Sequence, residues 1–297
     1  LHHGSSSSSC PDCFRDVTKQ PVQNSSQFRS RLPATAVLYS TTNALRSLIG
    51  SRTSPGCLIY PSPMRLGAVL EAWSGLAQGP PLPGGNRNEV LAGSIAGRQV
   101  VIRHSSRGEE SLHWEFDLLS HLRSRGCLVP ELIPADDGRL HLSGWHVQEL
   151  LPGRPATCED GSAVRKALAR VHELTRSWAQ RPGAVSASKL LTAWHGGDID
   201  LSAMPDPLVA EIRRSWQAVK PAESCVVHGD AGGMNALVAP DGSCALIDWD
   251  EARVDDPLFD VPADPGEERA ALAWEVATCW MREPGYAKRL AVTFMAG

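Results

Sequence analysis

From residue 64 onward the apolar positions fall into runs with a definite period. Between Met64 and Ala77 they recur at 66, 69, 70, 73 and 76, the spacing of one helical face. Gly79-Pro80-Pro81-Leu82-Pro83-Gly84-Gly85-Asn86 breaks that period. Glu89 to Ile95 and Gln99 to Arg103 are strand-like and flank an Ala96-Gly97 turn, which predicts a hairpin. Glu109 to Arg125 carries apolar residues at 112, 116, 119 and 122 and reads as an amphipathic helix. Helices are also predicted from Asp160 to about Trp178 and from Pro207 to Val219. Between them, residues 183–206, rich in Gly, Ala, Ser and Asp, read as a variable connection. Glu267 to about Arg289 predicts a terminal helix or helix pair broken at Pro284-Gly285, with Trp274 and Trp280 in the core.

The most informative stretch runs from Ser224 to Asp260. Val226-Val227 ends an apolar run and His228-Gly229-Asp230 follows, with Asn235 five residues beyond. Ala236 to Val238 reads as a buried strand, Pro240-Asp241-Gly242 as a tight turn, and Cys244 to Ile247 as the returning strand. A hairpin of that length folds Asp248 back towards Asn235 and Asp230. Two carboxylates and an amide oxygen then meet at one mouth. Phosphoryl transfer from a nucleotide needs such a set: a carboxylate to orient a hydroxyl and take its proton, and hard oxygen ligands for Mg²⁺. The plain alternative is an Asp-Gly-rich surface hairpin with solvated acids.

His228-Gly229-Asp230, Asn235 and Ile247-Asp248-Trp249 together resemble the core of the aminoglycoside phosphotransferase/choline kinase family, a branch of the protein-kinase-like fold. The resemblance covers the chain from about residue 64 to its end. It implies an α+β fold of two lobes, a small mixed α/β lobe over 64–150 and a larger, mainly helical lobe over 151–297. It also implies ATP and Mg²⁺ as cofactors, with Asp230 as catalytic base and Asn235 and Asp248 as the metal ligands. Gly85 and Asn86 occupy the place of the family's phosphate-covering loop, without a Walker A sequence. Val100-Val101-Ile102 ends in Arg103 where the family carries a lysine that grips phosphate; arginine keeps the charge but is not its equivalent. Glu115 falls where the family's ion-pair glutamate would brace that cation, its plain alternative being a surface helix charge. Gln148, Glu149 and Leu150 resemble the crossover whose backbone meets the adenine. Leu168-Ala169-Arg170-Val171-His172 resembles a family helix, with Val171 in place of the usual leucine and His172 read as a core histidine before a ligand. His228 is expected to shape the catalytic loop, and Asp260 to support the fold.

Composition narrows the picture. The 297 residues, 42% hydrophobic and 21% charged, are ordinary globular material. A net charge of −4 gives no reason to expect a nucleic-acid partner. No apolar run approaches the roughly 20 residues of a membrane span. Residues 1–63 differ from the rest: six Lys/Arg stand against two acids, which leaves 23 basic and 31 acidic residues, a net −8, for the remainder. This Ser/Arg-rich segment reads as a disordered tail or as non-native sequence, with an organelle transit peptide as the alternative. The eight cysteines are scattered, several in apolar surroundings, and read as free thiols in a reducing cytosol. Cys10-x-x-Cys13 has no second ligand pair, which argues against zinc there.

The expected reaction is therefore transfer of the ATP γ-phosphoryl group to a hydroxyl of a small molecule. The acidic run Asp250, Glu251, Asp255, Asp256, Asp260 and Asp264 would suit a cationic, amine-bearing acceptor such as an aminoglycoside, though a solvated loop explains most of it equally. Family substrates also include macrolides, choline, homoserine and sugars, and the fold does not choose among them. Two other classes stay open: a non-catalytic nucleotide-binding pseudokinase, which Arg103 favours, and a metal-dependent hydrolase, which would show more His/Asp clusters.

Overall fold

Ala96 and Gly97 both adopt positive φ, 49° and 80°, as a two-residue hairpin turn requires. They join strand β2 (Glu89–Ile95) to β3 (Arg98–His104) in unbroken antiparallel register from Ile95↔Arg98 to Glu89↔His104. A computed structural model describes residues 66–82 and 89–297. Helix α1 (Leu66–Ala72) matches the expected periodicity, but the Gly-Pro stretch behind it is a strand, β1 (Ala77–Pro81). It pairs only with β2, at the sheet edge, where prolines cost no ladder hydrogen bond. Adding β4 (Leu132–Ile133) and β5 (Trp145–Glu149) completes an antiparallel five-stranded sheet of order β1-β2-β3-β5-β4.

The pleat sorts this sheet's side chains by face. Val100, Ile102, Trp145 and Val147 join Val69 of α1 and Trp73 just after it in one core. Trp73 is fully buried and donates its indole N–H to the Ile133 carbonyl at 2.8 Å. By the same alternation, Arg103 and its cross-strand partner His146 belong to the opposite face. Helix α2 (Glu109–Ser124) lies on that side, with Phe116 edge-on to His146, ring centroids 5.3 Å apart. Leu118, Leu119 and Leu122 of α2 do not share the sheet's core. They pack with Val164, Leu168 and Val171 of α3 (Gly161–Leu174) and with Val226, Leu246 and Trp249.

Strand β6 (Arg154–Pro155) enters the larger lobe. The 183–206 connection is more ordered than its composition suggests. It holds α4 (Ala187–Leu190), the short pair β7 (His195–Gly196) and β8 (Ile199–Asp200), and buried Ile199, Leu201 and Met204. These side chains join α5 (Asp206–Ala218), α6 (Pro265–Arg282) and α7 (Pro284–Ala296) in the third core. Trp274 lies in that core and Trp280 packs against it half-buried. The break at Pro284 falls where expected. Strands β9 (Cys225–Val227), β10 (Ala236–Val238), β11 (Cys244–Leu246) and β12 (Arg253–Asp255) build the stretch from Ser224 to Asp260: β10 pairs with β11 and β6, and β9 with β12. Cys225 is buried and Cys244 half-buried, both free thiols. Among the described residues no helix is long and apolar enough to cross a membrane. Residues 1–63 lie outside the described residues, as do Gly85 and Asn86.

Candidate active site

Buried β9 delivers the chain to His228-Gly229-Asp230, and one carboxylate fixes how it leaves. Asp260, 1% exposed, accepts the backbone N–H groups of His228 and Gly229, each at 2.8 Å, and meets His172 Nε2 at 2.8 Å. Burial alone would raise the Asp260 carboxyl, but His172, His228 and these hydrogen bonds hold it below the usual carboxylate range. His172 is thus a satisfied, partly buried histidine. The fully buried His228 ring faces the Ile247 carbonyl through Nε2 at 3.0 Å and stacks tilted on Trp249, centroids 4.6 Å apart. Burial lowers its pKa. With the proton on Nε2, Nδ1 accepts the Asp230 N–H at 3.4 Å, so the ring ties the loop to the end of β11. Gly229 sits at φ 81°, and a Cβ there would stand 2.7 Å from the Glu251 carbonyl oxygen. Only glycine fits this turn without displacing the backbone that follows Asp248.

Asn235 follows on a tight turn, its N–H donating to the Gly232 carbonyl at 2.8 Å. Its side-chain amide donates to the Asp230 backbone carbonyl at 2.9 Å and to the Asp230 carboxylate at 3.0 Å. The amide's own oxygen remains as an acceptor. Across the β10–β11 hairpin, the Ile247 N–H donates to the Asn235 carbonyl at 2.9 Å, which puts Asp248 one residue from that bond. Asp248 adopts a left-handed backbone, φ 63° and ψ 71°, a costly conformation for a residue with a Cβ. Its side chain is 42% exposed. The hairpin thus brings Asp230, Asn235 and Asp248 together. A carboxylate and an amide oxygen are a donor set that suits Mg²⁺.

Arg103 closes the cleft from the small lobe. Its guanidinium, 6% exposed, bridges Asp248 and Asp250 at 2.6 Å each. Burial alone would lower its pKa, but Asp248, Asp250 and Glu115 outweigh that and hold it raised. Asp250, for which burial works in the other direction, is held low by Arg103, Arg107 and Arg181. The expected brace differs. Glu115 is fully buried, not a surface charge, and its direct partner is Arg181 at 2.6 Å, so it reaches Arg103 only through the electrostatic field. Arg181 is 1% exposed; it also donates to Ser111 Oγ at 2.7 Å and to the Trp249 carbonyl at 2.8 Å, with longer contacts to Asp250 and Ala252. One guanidinium therefore joins α2 to the backbone after Asp248. No sequence period marks Arg181, which lies in coil between a helix and the connection.

At the crossover, Gln148 lies inside the sheet, paired with Val101 and Leu132. The Glu149 N–H donates to the Glu131 carbonyl at 2.8 Å and that of Leu150 to the Gln99 carbonyl at 3.4 Å. These backbone donors are spent on the sheet and its flank, and the Glu149 carboxylate pairs with Arg123 and Arg98. The acidic run also differs from a solvated patch. Asp250 meets Arg103, Asp255 is buried against Arg253 at 2.9 Å, and Asp256 and Asp264 accept the first N–H groups of the helical turns that follow them. Glu251 lies 3.7 Å from Arg107.

A profile described as the phosphotransferase enzyme family matches residues 78–285. No curated protein sequence matches the chain. Among solved structures, a microcompartment-associated aminopropanol kinase is 16% identical, with a TM-score of 0.54 over 77% of this chain and 93% of its own. Amicoumacin kinase, in complex with AMP-PNP, Ca²⁺ and Ami, is 14% identical, with a TM-score of 0.53 over 80% of this chain and 77% of its own. A spectinomycin phosphotransferase in complex with ADP and spectinomycin is 10% identical, with a TM-score of 0.51 over 77% and 93%. At such identities these likenesses establish the two-lobe α+β kinase-like fold. With the profile spanning more than two-thirds of the residues, the chain belongs to the phosphotransferase enzyme family.

Proposed function

We propose that this protein is an ATP- and Mg²⁺-dependent kinase that moves the γ-phosphoryl group to a hydroxyl of a small molecule. The observation that carries the proposal is the pairing of Asp230 with Asn235 at the mouth of the hairpin that ends in Asp248. In this reading Asp230, exposed at the loop tip, orients the acceptor hydroxyl and takes its proton. Asn235 fixes the Asp230 carboxylate through its N–H while its oxygen, with Asp248, would hold the metal. Mg²⁺ would supply charge neutralisation at the β- and γ-phosphates. Arg103 would reach phosphate by exchanging one of its two carboxylate partners. Gly85, Asn86 and the backbone just beyond Glu149 are the proposed nucleotide contacts, with Leu151 the first residue past the spent donors. Support for a nucleotide comes from the AMP-PNP and ADP complexes of the amicoumacin and spectinomycin enzymes.

The acceptor is inferred only as a small hydroxylated compound. An aminoglycoside-type antibiotic and a metabolite such as choline, homoserine or a sugar both fit. The acids of the 250–264 run are engaged within the fold, so a cationic acceptor draws no support from them. A non-catalytic nucleotide-binding role is the second reading, favoured by the double carboxylate tie on Arg103. A cytoplasmic setting is part of the proposal. The test is ATP consumption with Mg²⁺ against aminoglycosides, macrolides, choline and homoserine. A substrate-stimulated rate that falls by about a thousandfold or more in Asp230→Ala, with ATP binding retained, is the expected result. ATP binding with no turnover across an extended panel would favour the second reading, and full activity in Asp230→Ala would remove Asp230 as base.

A further inference from the structure

Away from the cleft, the start of α2 and the loop between β4 and β5 bring together a second set of ligand-type side chains. Glu109 and His113 lie four residues apart on α2, on one face of the helix. His141 comes from the loop. Its Nε2 lies 3.3 Å from His113 Nε2 and 3.9 Å from Glu109 Oε1. One ligand atom from each residue falls within 4.8 Å of the others. A tetrahedral ion with bonds of roughly 2.0–2.1 Å keeps its donor atoms about 3.4 Å apart. The two imidazoles already stand at that separation. Glu109, 72% exposed, has the freedom to swing its carboxylate closer.

His141 is the fixed member of the trio. Its ring packs against Phe116 and edge-on to His113, with centroids 6.1 and 5.2 Å away. Its Nδ1 is buried without a partner, which leaves Nε2 as the nitrogen that opens onto the gap. Two imidazoles and one carboxylate select zinc-class ions over Mg²⁺ or Ca²⁺, which prefer all-oxygen sets. We propose that Glu109, His113 and His141 bind one zinc-class divalent ion, with water in the remaining position, pinning the first turn of α2 to the β4–β5 loop. The site is separate from the oxygen donors of Asn235 and Asp248. Glu115, the partner of Arg181, lies less than two turns further along the same helix.

The alternative is a bare imidazole–imidazole hydrogen bond with a glutamate nearby, and metal titration separates the two. The full chain, with Cys10 and Cys13 changed to serine, would be titrated with Co²⁺ in excess Mg²⁺ and followed by absorption. Zn²⁺ titration followed by calorimetry and by melting temperature completes the set. One equivalent is expected, with d–d bands but no sulfur-to-cobalt charge transfer, and Zn²⁺ should raise the melting temperature. His113→Ala, an exposed substitution that leaves the helix backbone intact, should weaken binding by about tenfold or more and abolish the Zn²⁺-induced shift. His141→Ala should do the same and Glu109→Gln should weaken binding less. Binding unchanged in His113→Ala, or no equivalent bound by the parent, would overturn the site.

Discussion

Arg181 is the residue on which the arrangement of the cleft depends most directly. It is buried with Glu115 and spends its remaining N–H groups on Ser111 and on backbone carbonyls after Asp248. Removing one partner of such a pair strands the other charge in the interior, at a cost of roughly 3–5 kcal/mol, whereas removing both with well-packed apolar groups is often near neutral. Arg181→Met is therefore expected to lower stability by about that amount, and Arg181→Met with Glu115→Leu to recover much of it. Urea unfolding of the four members of this cycle checks it; additive losses would mean the two side chains act separately. Turnover should stay depressed in the stable double variant, because the carbonyls of Trp249 and Ala252 still lack their donor. Glu115 could be found in the sequence because it sits on a periodic helix. Its partner could not, since nothing local marks an arginine 66 residues later in coil.

At the scale of elements, the β3–β5 register sets a proton equilibrium. It places His146 directly across from Arg103, beneath Phe116, in a fully buried position. Burial first, and the Arg103 charge second, push the His146 imidazole down to about 3 from the ordinary histidine value. Its folded pKa lies below its unfolded one, near 6.5, so between about pH 6.5 and pH 3 the unfolded chain binds the extra proton. Stability should accordingly be unaffected by this group above pH 6.5 and fall below it, by about 1.4 kcal/mol per pH unit for one proton. His228, lowered by burial, acts in the same direction. In His146→Phe the slope of unfolding free energy between pH 6 and pH 4.5 should lessen by about one proton; an unchanged slope would show that His146 is protonated in the fold. The hairpins at Ala96-Gly97 and 236–246 were legible because turn chemistry and apolar alternation agree there. Strand β1 was not, because glycine and proline mask an edge strand. The connection over 183–206 hid its core contribution because its buried residues keep no single period. The site was legible to the extent that it lies on one continuous stretch, 228–248. What joins the two lobes, the Arg103 bridge and the Arg181 clamp, exists only in three dimensions.

For the whole molecule, the three cores imply where the fold can be cut. The sheet core includes Val69 and Trp73 at zero exposure, so α1 is part of the small lobe even though the family profile begins at residue 78. The middle core joins α2 to α3 and to Val226, Leu246 and Trp249, so the two lobes share apolar surface. The charge break and the lack of any helix or strand period before residue 64 lead us to expect that a chain starting there keeps its melting temperature and its turnover. One starting at residue 78 loses Val69, Trp73 and Leu76, and with them the Trp73 bond to Ile133. Each such buried side chain contributes roughly 1.5–3 kcal/mol, and an empty site behind the sheet adds to the loss. That total approaches the net stability of an ordinary domain, roughly 5–15 kcal/mol. The shorter chain should unfold at a markedly lower temperature or fail to accumulate as folded protein. Parallel thermal melts of the two truncations and the full chain decide the matter. Equal melting for all three would detach α1 from the fold, while unfolding of the chain from residue 64 would show that the small lobe draws on residues before it.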